Sequence, residues 1–131
     1  YERAFEKLGV KDRESVPDAA CTTGVCNLMR TTAATGTLGE MLSVLVVCEW
    51  SYLSWGQLVE AKTARDDFCT YEWVDLHSGE EFEAVVAYLR GLLDREGDLL
   101  HEAGKEKCKE KFLQAVQLEE DFFEFAYNSV Q

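Results

Sequence analysis

Positive charge is scarce in this chain. Thirteen Lys plus Arg stand against twenty-five Asp plus Glu in 131 residues, a formal net charge of −12. A chain that acidic gains no counterion release from a phosphate backbone and no attraction to anionic lipid, which argues against nucleic acid and membrane partners. Histidine occurs twice, as His77 and His101, and the five cysteines (Cys21, Cys26, Cys48, Cys69, Cys108) contain no Cys-x-x-Cys pair. A zinc site is therefore not expected, nor any other metal or cofactor. The odd cysteine count reads as reduced thiols packed as small hydrophobes in a cytosolic-type environment. The longest strongly apolar run, Met41 to Cys48, is too short for a bilayer and is flanked by Glu40 and Glu49. No signal peptide is visible, though the first residue is Tyr1 rather than methionine.

What is present points to one helical domain. The composition is 47% hydrophobic and 11% aromatic, enough for a core and too much for disorder. With Pro17 the sole proline and no strand-like alternation, helices are expected throughout. Tyr1 to Leu8 reads as a helix end stopped by Gly9, and Asp12 to Pro17 as a polar connection. Pro17 suits the first turn of a helix running to about Thr35. Thr37-Leu-Gly-Glu40 has capping-box spacing and opens a helix to about Lys62, apolar on every side in its middle. A shorter helix follows from Asp66 to about Leu76, and Ser78-Gly-Glu-Glu81 resembles a second capping box. The next helix is expected to end at Ala103 before Gly104, and the last to occupy Lys105 to Val130. Trp50, Trp55 and Trp73 are most simply core.

Two helices carry candidate chemistry. Cys48 and Tyr52, four residues apart, project from one face, although most such pairs only pack. A cysteine becomes nucleophilic only where a base, a cation or a helix N-terminus favours its thiolate. The last helix has an apolar stripe of Phe112, Ala115, Val116, Phe122, Phe123, Ala126, Tyr127 and Val130. That pattern calls for an apolar residue at 119, where the chain has Glu119. A carboxylate on a buried stripe must be hydrogen-bonded or protonated, and burial raises its pKa toward the acid–base range. A structural glutamate and a catalytic one fit this periodicity equally well. His77 reads first as a residue facing the carbonyl end of its helix.

The segment Val47-Cys48-Glu49-Trp50-Ser51-Tyr52 with Trp55-Gly56 resembles the Cys-x-Trp-x-Tyr motif of the TenA family, also called thiaminase II or aminopyrimidine aminohydrolase. Phe112 through Glu119 to Tyr127 is similar to that family's last helix, and Tyr71-Glu-Trp-Val74 with Ser78-Gly79 to its middle helix. The resemblance implies an all-α bundle like that of haem oxygenase, of which residues 1–131 form the later, C-terminal portion of a single domain. It implies hydrolysis at the methylene carbon of a 4-amino-2-methylpyrimidine, releasing an amine or the thiazole of thiamin and giving hydroxymethylpyrimidine. Cys48 falls on the family nucleophile, Glu119 on its acid/base, and Tyr52 and Phe122 on residues around the ring. His77 falls on a family tyrosine that shares the cysteine's hydrogen-bond network. The family's stacking tyrosine aligns near Val25, and its pyrimidine-binding aspartate precedes Tyr1. The resemblance further implies a cytoplasmic homotetramer acting on a small aminopyrimidine or thiamin, completed by helices preceding Tyr1 or by a separate N-terminal chain. A pyrimidine-binding module without turnover and a regulatory helical subunit are the alternatives. An apolar groove along the helix from Leu38 is expected, with Cys48, Tyr52 and Glu119 around one cavity.

Overall fold

The computed structural model describes residues 1–12 and 15–129. Among them are six helices: α1 (Glu2–Leu8), α2 (Ala20–Thr35), α3 (Leu38–Glu60), α4 (Phe68–Ser78), α5 (Glu80–Leu99) and α6 (Glu102–Asn128). No strand occurs among the described residues. Helix α3 is the axis, packed against α2, α4, α5 and α6. That placement explains its sequence, since a helix wrapped on several sides keeps an apolar residue at almost every position. By length and composition its 23 residues match a membrane span as well. Here 39% of its most apolar stretch is buried against neighbouring helices. Leu42, Val44, Val46 and Val47 are buried, and burying each stabilises the fold by roughly 1.5–3 kcal/mol. Val44 and Val47 meet Leu28 of α2 and Ala115 of α6, with Phe112 and Leu118 packed alongside. The jacket is open where Leu45 and Leu38 remain exposed, and Met29, Ala33, Met41 and Leu45 line an apolar groove of about 170 Å³ between α2 and α3.

The start of α3 follows its local sequence. Thr37 accepts from the Glu40 amide, and Glu40 returns a carboxylate to the Thr37 amide at 2.9 Å. A cap of this kind is worth about 1 kcal/mol. Gly9 ends α1 at φ 70°, the left-handed conformation that glycine adopts without cost.

Elsewhere tertiary contacts move the boundaries. Helix α2 begins at Ala20, so Pro17 lies before the helix rather than in its first turn. Helix α4 starts at Phe68 because Asp67 caps it, its carboxylate accepting from the Cys69 amide. The second capping box does not form. Helix α4 continues through Ser78, which is helical and buried, and extended Gly79 becomes the N-cap of α5 with no side-chain cap. Gly104 does not end a helix either. The break falls at Leu100 and His101, both extended, and Gly104 lies inside α6. A Cβ at Gly104 would lie 3.2 Å from Leu100 Cδ2, and one at Gly39 would lie 3.2 Å from Cδ1. The two glycines therefore make room for the Leu100 side chain to turn inward, and the chain breaks where it does so. Val130, expected to close the last helix, lies outside the described residues, as do positions 13 and 14 of the first connection.

Trp50 is not core. It is 38% exposed, and the Arg90 guanidinium of α5 sits over its ring at 3.8 Å, a cation–π contact at the surface. The stripe of α6 is also only partly covered: Ala115 and Glu119 are buried, whereas Val116, Phe123 and Tyr127 are exposed.

Candidate active site

Cys48 lies near the middle of α3, on the side that faces α6, where Glu119 is buried with 9% of its surface exposed. The two helices bring the thiol and the carboxylate together as donor and acceptor. Burial pushes the Cys48 thiol up to about 12, and the Glu119 charge and its hydrogen-bonding role push in the same direction. The sulfur is thus protonated at neutral pH. Burial also raises Glu119 above the usual carboxylate range; Cys48 opposes that rise and Glu49, half-buried next to Cys48, adds to it by repulsion. The charged neighbours that act on the pair, Glu119 on the thiol and Glu49 on both groups, are acidic. A proton shared between these two groups sits on sulfur at rest and can pass to oxygen.

Tyr52, one turn beyond Cys48, is held with its hydroxyl protonated. Burial raises it to about 12, followed by the charges of Glu119 and Cys48. Its ring is packed on three sides by Trp73 at 5.5 Å, His77 at 5.4 Å and Phe123 at 5.9 Å between centroids. Trp55 stacks on Trp73 at 4.2 Å. This ring cluster joins α3, α4 and α6 and fixes the Tyr52 ring beside the thiol–carboxylate pair.

His77 belongs to the same cluster, its ring edge-on to Phe82 at 5.1 Å. Its Nδ1 lies 2.7 Å from the Trp73 carbonyl. A carbonyl oxygen only accepts, so Nδ1 donates, and in the neutral ring Nε2 is then the acceptor nitrogen. Phe122 follows Glu119 by three residues and is half-buried, edge-on to Phe123 at 5.7 Å. Cys48, Glu119, Tyr52 and His77 therefore form a continuous chain of neighbours, with Phe122 at its margin. Sequence reasoning missed Trp73 and Phe123 as ring partners of Tyr52. Their spacing carried the signal, because Trp73 precedes His77 by four residues and Phe123 follows Glu119 by four. Among the described residues no three His, Cys, Asp or Glu side chains converge as a metal site requires.

One glycine sets this arrangement. A Cβ at Gly56 would lie 2.8 Å from the His77 carbonyl oxygen and 3.0 Å from its carbon. Those are backbone atoms and cannot rotate away. Gly56→Ala is expected to push the end of α4 off α3 and to cost roughly 1–3 kcal/mol. Thermal unfolding of the variant checks this: the midpoint should fall by several degrees, and an unchanged midpoint would mean that α4 yields freely.

A profile of the TENA/THI-4/PQQC family matches residues 1–129. The aminopyrimidine aminohydrolase of Halalkalibacterium halodurans is 31% identical over 130 residues, covering 96% of this chain and 58% of that protein. The aminopyrimidine aminohydrolase of Helicobacter pylori is 30% identical over 95 residues, 72% of this chain and 44% of that protein. The chain thus spans 58% of the first relative's length and a smaller share of the second's. It belongs to the TENA/THI-4/PQQC family.

Proposed function

We propose that this member of the TENA/THI-4/PQQC family serves as an aminopyrimidine hydrolase of thiamin salvage or breakdown, with Cys48 as nucleophile and Glu119 as acid/base. The observation that carries the reading is the thiol–carboxylate pair at the α3–α6 contact, with both partners shifted upward. A thiol held at about 12 is a poor nucleophile by itself and needs a base in contact. Glu119 takes the Sγ proton as sulfur bonds to the pyrimidine ring. The same proton then passes to the departing amine nitrogen as the carbon–nitrogen bond at the methylene breaks. Water adds to that methylene, losing a proton to Glu119, and the carbon–sulfur bond breaks to release hydroxymethylpyrimidine. The final proton returns from Glu119 to sulfur.

Tyr52 and His77 supply a hydroxyl donor and an imidazole acceptor for a ring bearing an amino group, and Phe122 a packing edge. The substrate is a small aminopyrimidine or thiamin itself. The protein works in the cytoplasm as a homotetramer, and nucleic acid and membranes are not its partners. Support for this reading comes from the relatives' names and from the geometry of Cys48 and Glu119. A second reading, a binding protein that holds the pyrimidine without turnover, is favoured by a thiol held as high as about 12. Incubating the full-length protein with 4-amino-5-aminomethyl-2-methylpyrimidine and measuring ammonia and hydroxymethylpyrimidine separates the two. Stoichiometric release supports the hydrolase; saturable binding without release leaves only the binding protein.

A further inference from the structure

Helix α5 carries one apolar stripe more than its place in the bundle requires. The inner stripe holds buried Val86 with half-buried Phe82, Leu89 and Leu93, and α5 packs on α3. A surface helix needs a single stripe of this kind. Yet Glu81, Val85, Tyr88, Leu92, Arg95 and Leu99 also follow one another at the alternating four- and three-residue spacing of a coiled-coil seam. This second stripe is turned away from Val86. Tyr88 and Leu99 are 65% and 81% exposed, Val85 is exposed and Leu92 half-buried. Beside it, a Cβ at Gly91 would meet nothing within 4 Å. Glycine inside a helix lowers its stability relative to alanine, and no neighbour among the described residues uses the space. Gly91 leaves room for a second helix to come close. Glu81 and Arg95 mark the seam toward its two ends with opposite charge. Both are exposed, and no ion pair joins either to another side chain among the described residues.

We infer that the outer seam of α5 is an interface with the same seam of a second copy of this chain, the two helices running antiparallel about a two-fold axis near Tyr88. The charges choose both the occupant and the direction. In an antiparallel pair, Glu81 of each copy comes alongside Arg95 of the other, so one surface supplies both halves of two ion pairs. A parallel pair would set glutamate against glutamate and arginine against arginine. Between the charged ends, Val85, Tyr88 and Leu92 of the two copies cover one another. The inference rests on the homo-oligomer of the proposed function and names its surface. No residue of the thiol–carboxylate pair takes part, so it is independent of the chemistry.

Sedimentation equilibrium of the full-length protein over a range of concentrations tests it. All the substituted positions are exposed, so the variants should keep the fold. Tyr88→Glu places two like charges at the centre of the seam and should halve the assembled mass. Glu81→Arg and Arg95→Glu, each alone, set like charges against each other at both ends and should weaken association at least about tenfold. The double variant restores opposite charges across the interface and should associate within about threefold of wild type. The two positions lie about 21 Å apart along one helix, so that rescue can only come from a second copy. A wild type that is monomeric at every concentration overturns both this inference and the homo-oligomer. An assembled mass indifferent to Tyr88→Glu and to both single reversals overturns the inference and leaves the homo-oligomer standing. A double variant that associates no better than the single ones also overturns it, because the seam then meets some other surface.

Discussion

Replacing Cys48 with serine is expected to leave pyrimidine binding nearly unchanged and to bring turnover close to zero. The side chain keeps its shape, so the ring contacts through Tyr52 and His77 survive. What changes is the acidity of the attacking group. The thiol stands at about 12 in this site, within reach of a carboxylate that is itself raised. A serine hydroxyl starts several orders of magnitude less acidic, and the same burial and the same negative neighbours oppose its ionisation. The loss should therefore appear in kcat rather than in KM. Product formation at saturating substrate is the decisive measurement. Activity close to wild type would remove Cys48 as the nucleophile.

Glu119→Gln should produce two effects of opposite sign. The amide keeps the size of the carboxyl but can neither take the Sγ proton nor hand it on, and loss of such a group lowers turnover by roughly 100- to 10,000-fold. Stability should move the other way. Burial and Glu49 raise the Glu119 pKa in the folded protein, so folding favours the protonated form. That favourable contribution is complete below the unfolded-state pKa and is lost as pH rises through the folded-state value. Glutamine is neutral throughout and does not lose it. The variant should thus melt higher than wild type near about pH 8, and the difference should shrink as pH falls toward about 4. Melting curves at the two pH values check the sign. A variant less stable than wild type near pH 8 would show that the ionised carboxylate contributes more to the fold than it costs.

The parts of this structure that were legible in the sequence are those set by a few adjacent residues or by a period. Thr37 and Glu40 satisfy each other's amides within one turn, so the start of α3 needed nothing from the rest of the chain. Glu119 stood out because an apolar stripe passes through it, and the structure buries it. The all-helical bundle was legible for the same reason, from long periodic segments with a single proline. Where distant residues decide, the reading went astray. Ser78 and Glu81 have cap spacing, but α4 runs on to bury Ser78, and Gly79 takes over the cap. Gly104 was expected to end a helix, whereas its lack of a side chain accommodates Leu100. Nothing local distinguishes those two uses of glycine. Trp50 carries a large apolar ring, and only the position of Arg90 on a neighbouring helix explains its place at the surface. The resemblance to a family supplied roles for Cys48 and Glu119 that spacing left open, but not the upward shift of the thiol, which arises from the meeting of α3 and α6.

The contrast between α1 and α3 carries over to hydrogen exchange. Helix α1 buries no residue and is moored by exposed ion pairs and cation–π contacts, each of the kind worth at most about 1 kcal/mol at a solvated surface. Its amides should exchange through local opening, at a rate that increases with salt as the moorings are screened. The amides around Val44 to Val47 lie in the core segment of α3 that packs on α2 and α6. They should exchange only when the whole domain unfolds, at a rate nearly indifferent to salt. The same experiment would show α1 opening while the backbone under Cys48 stays protected.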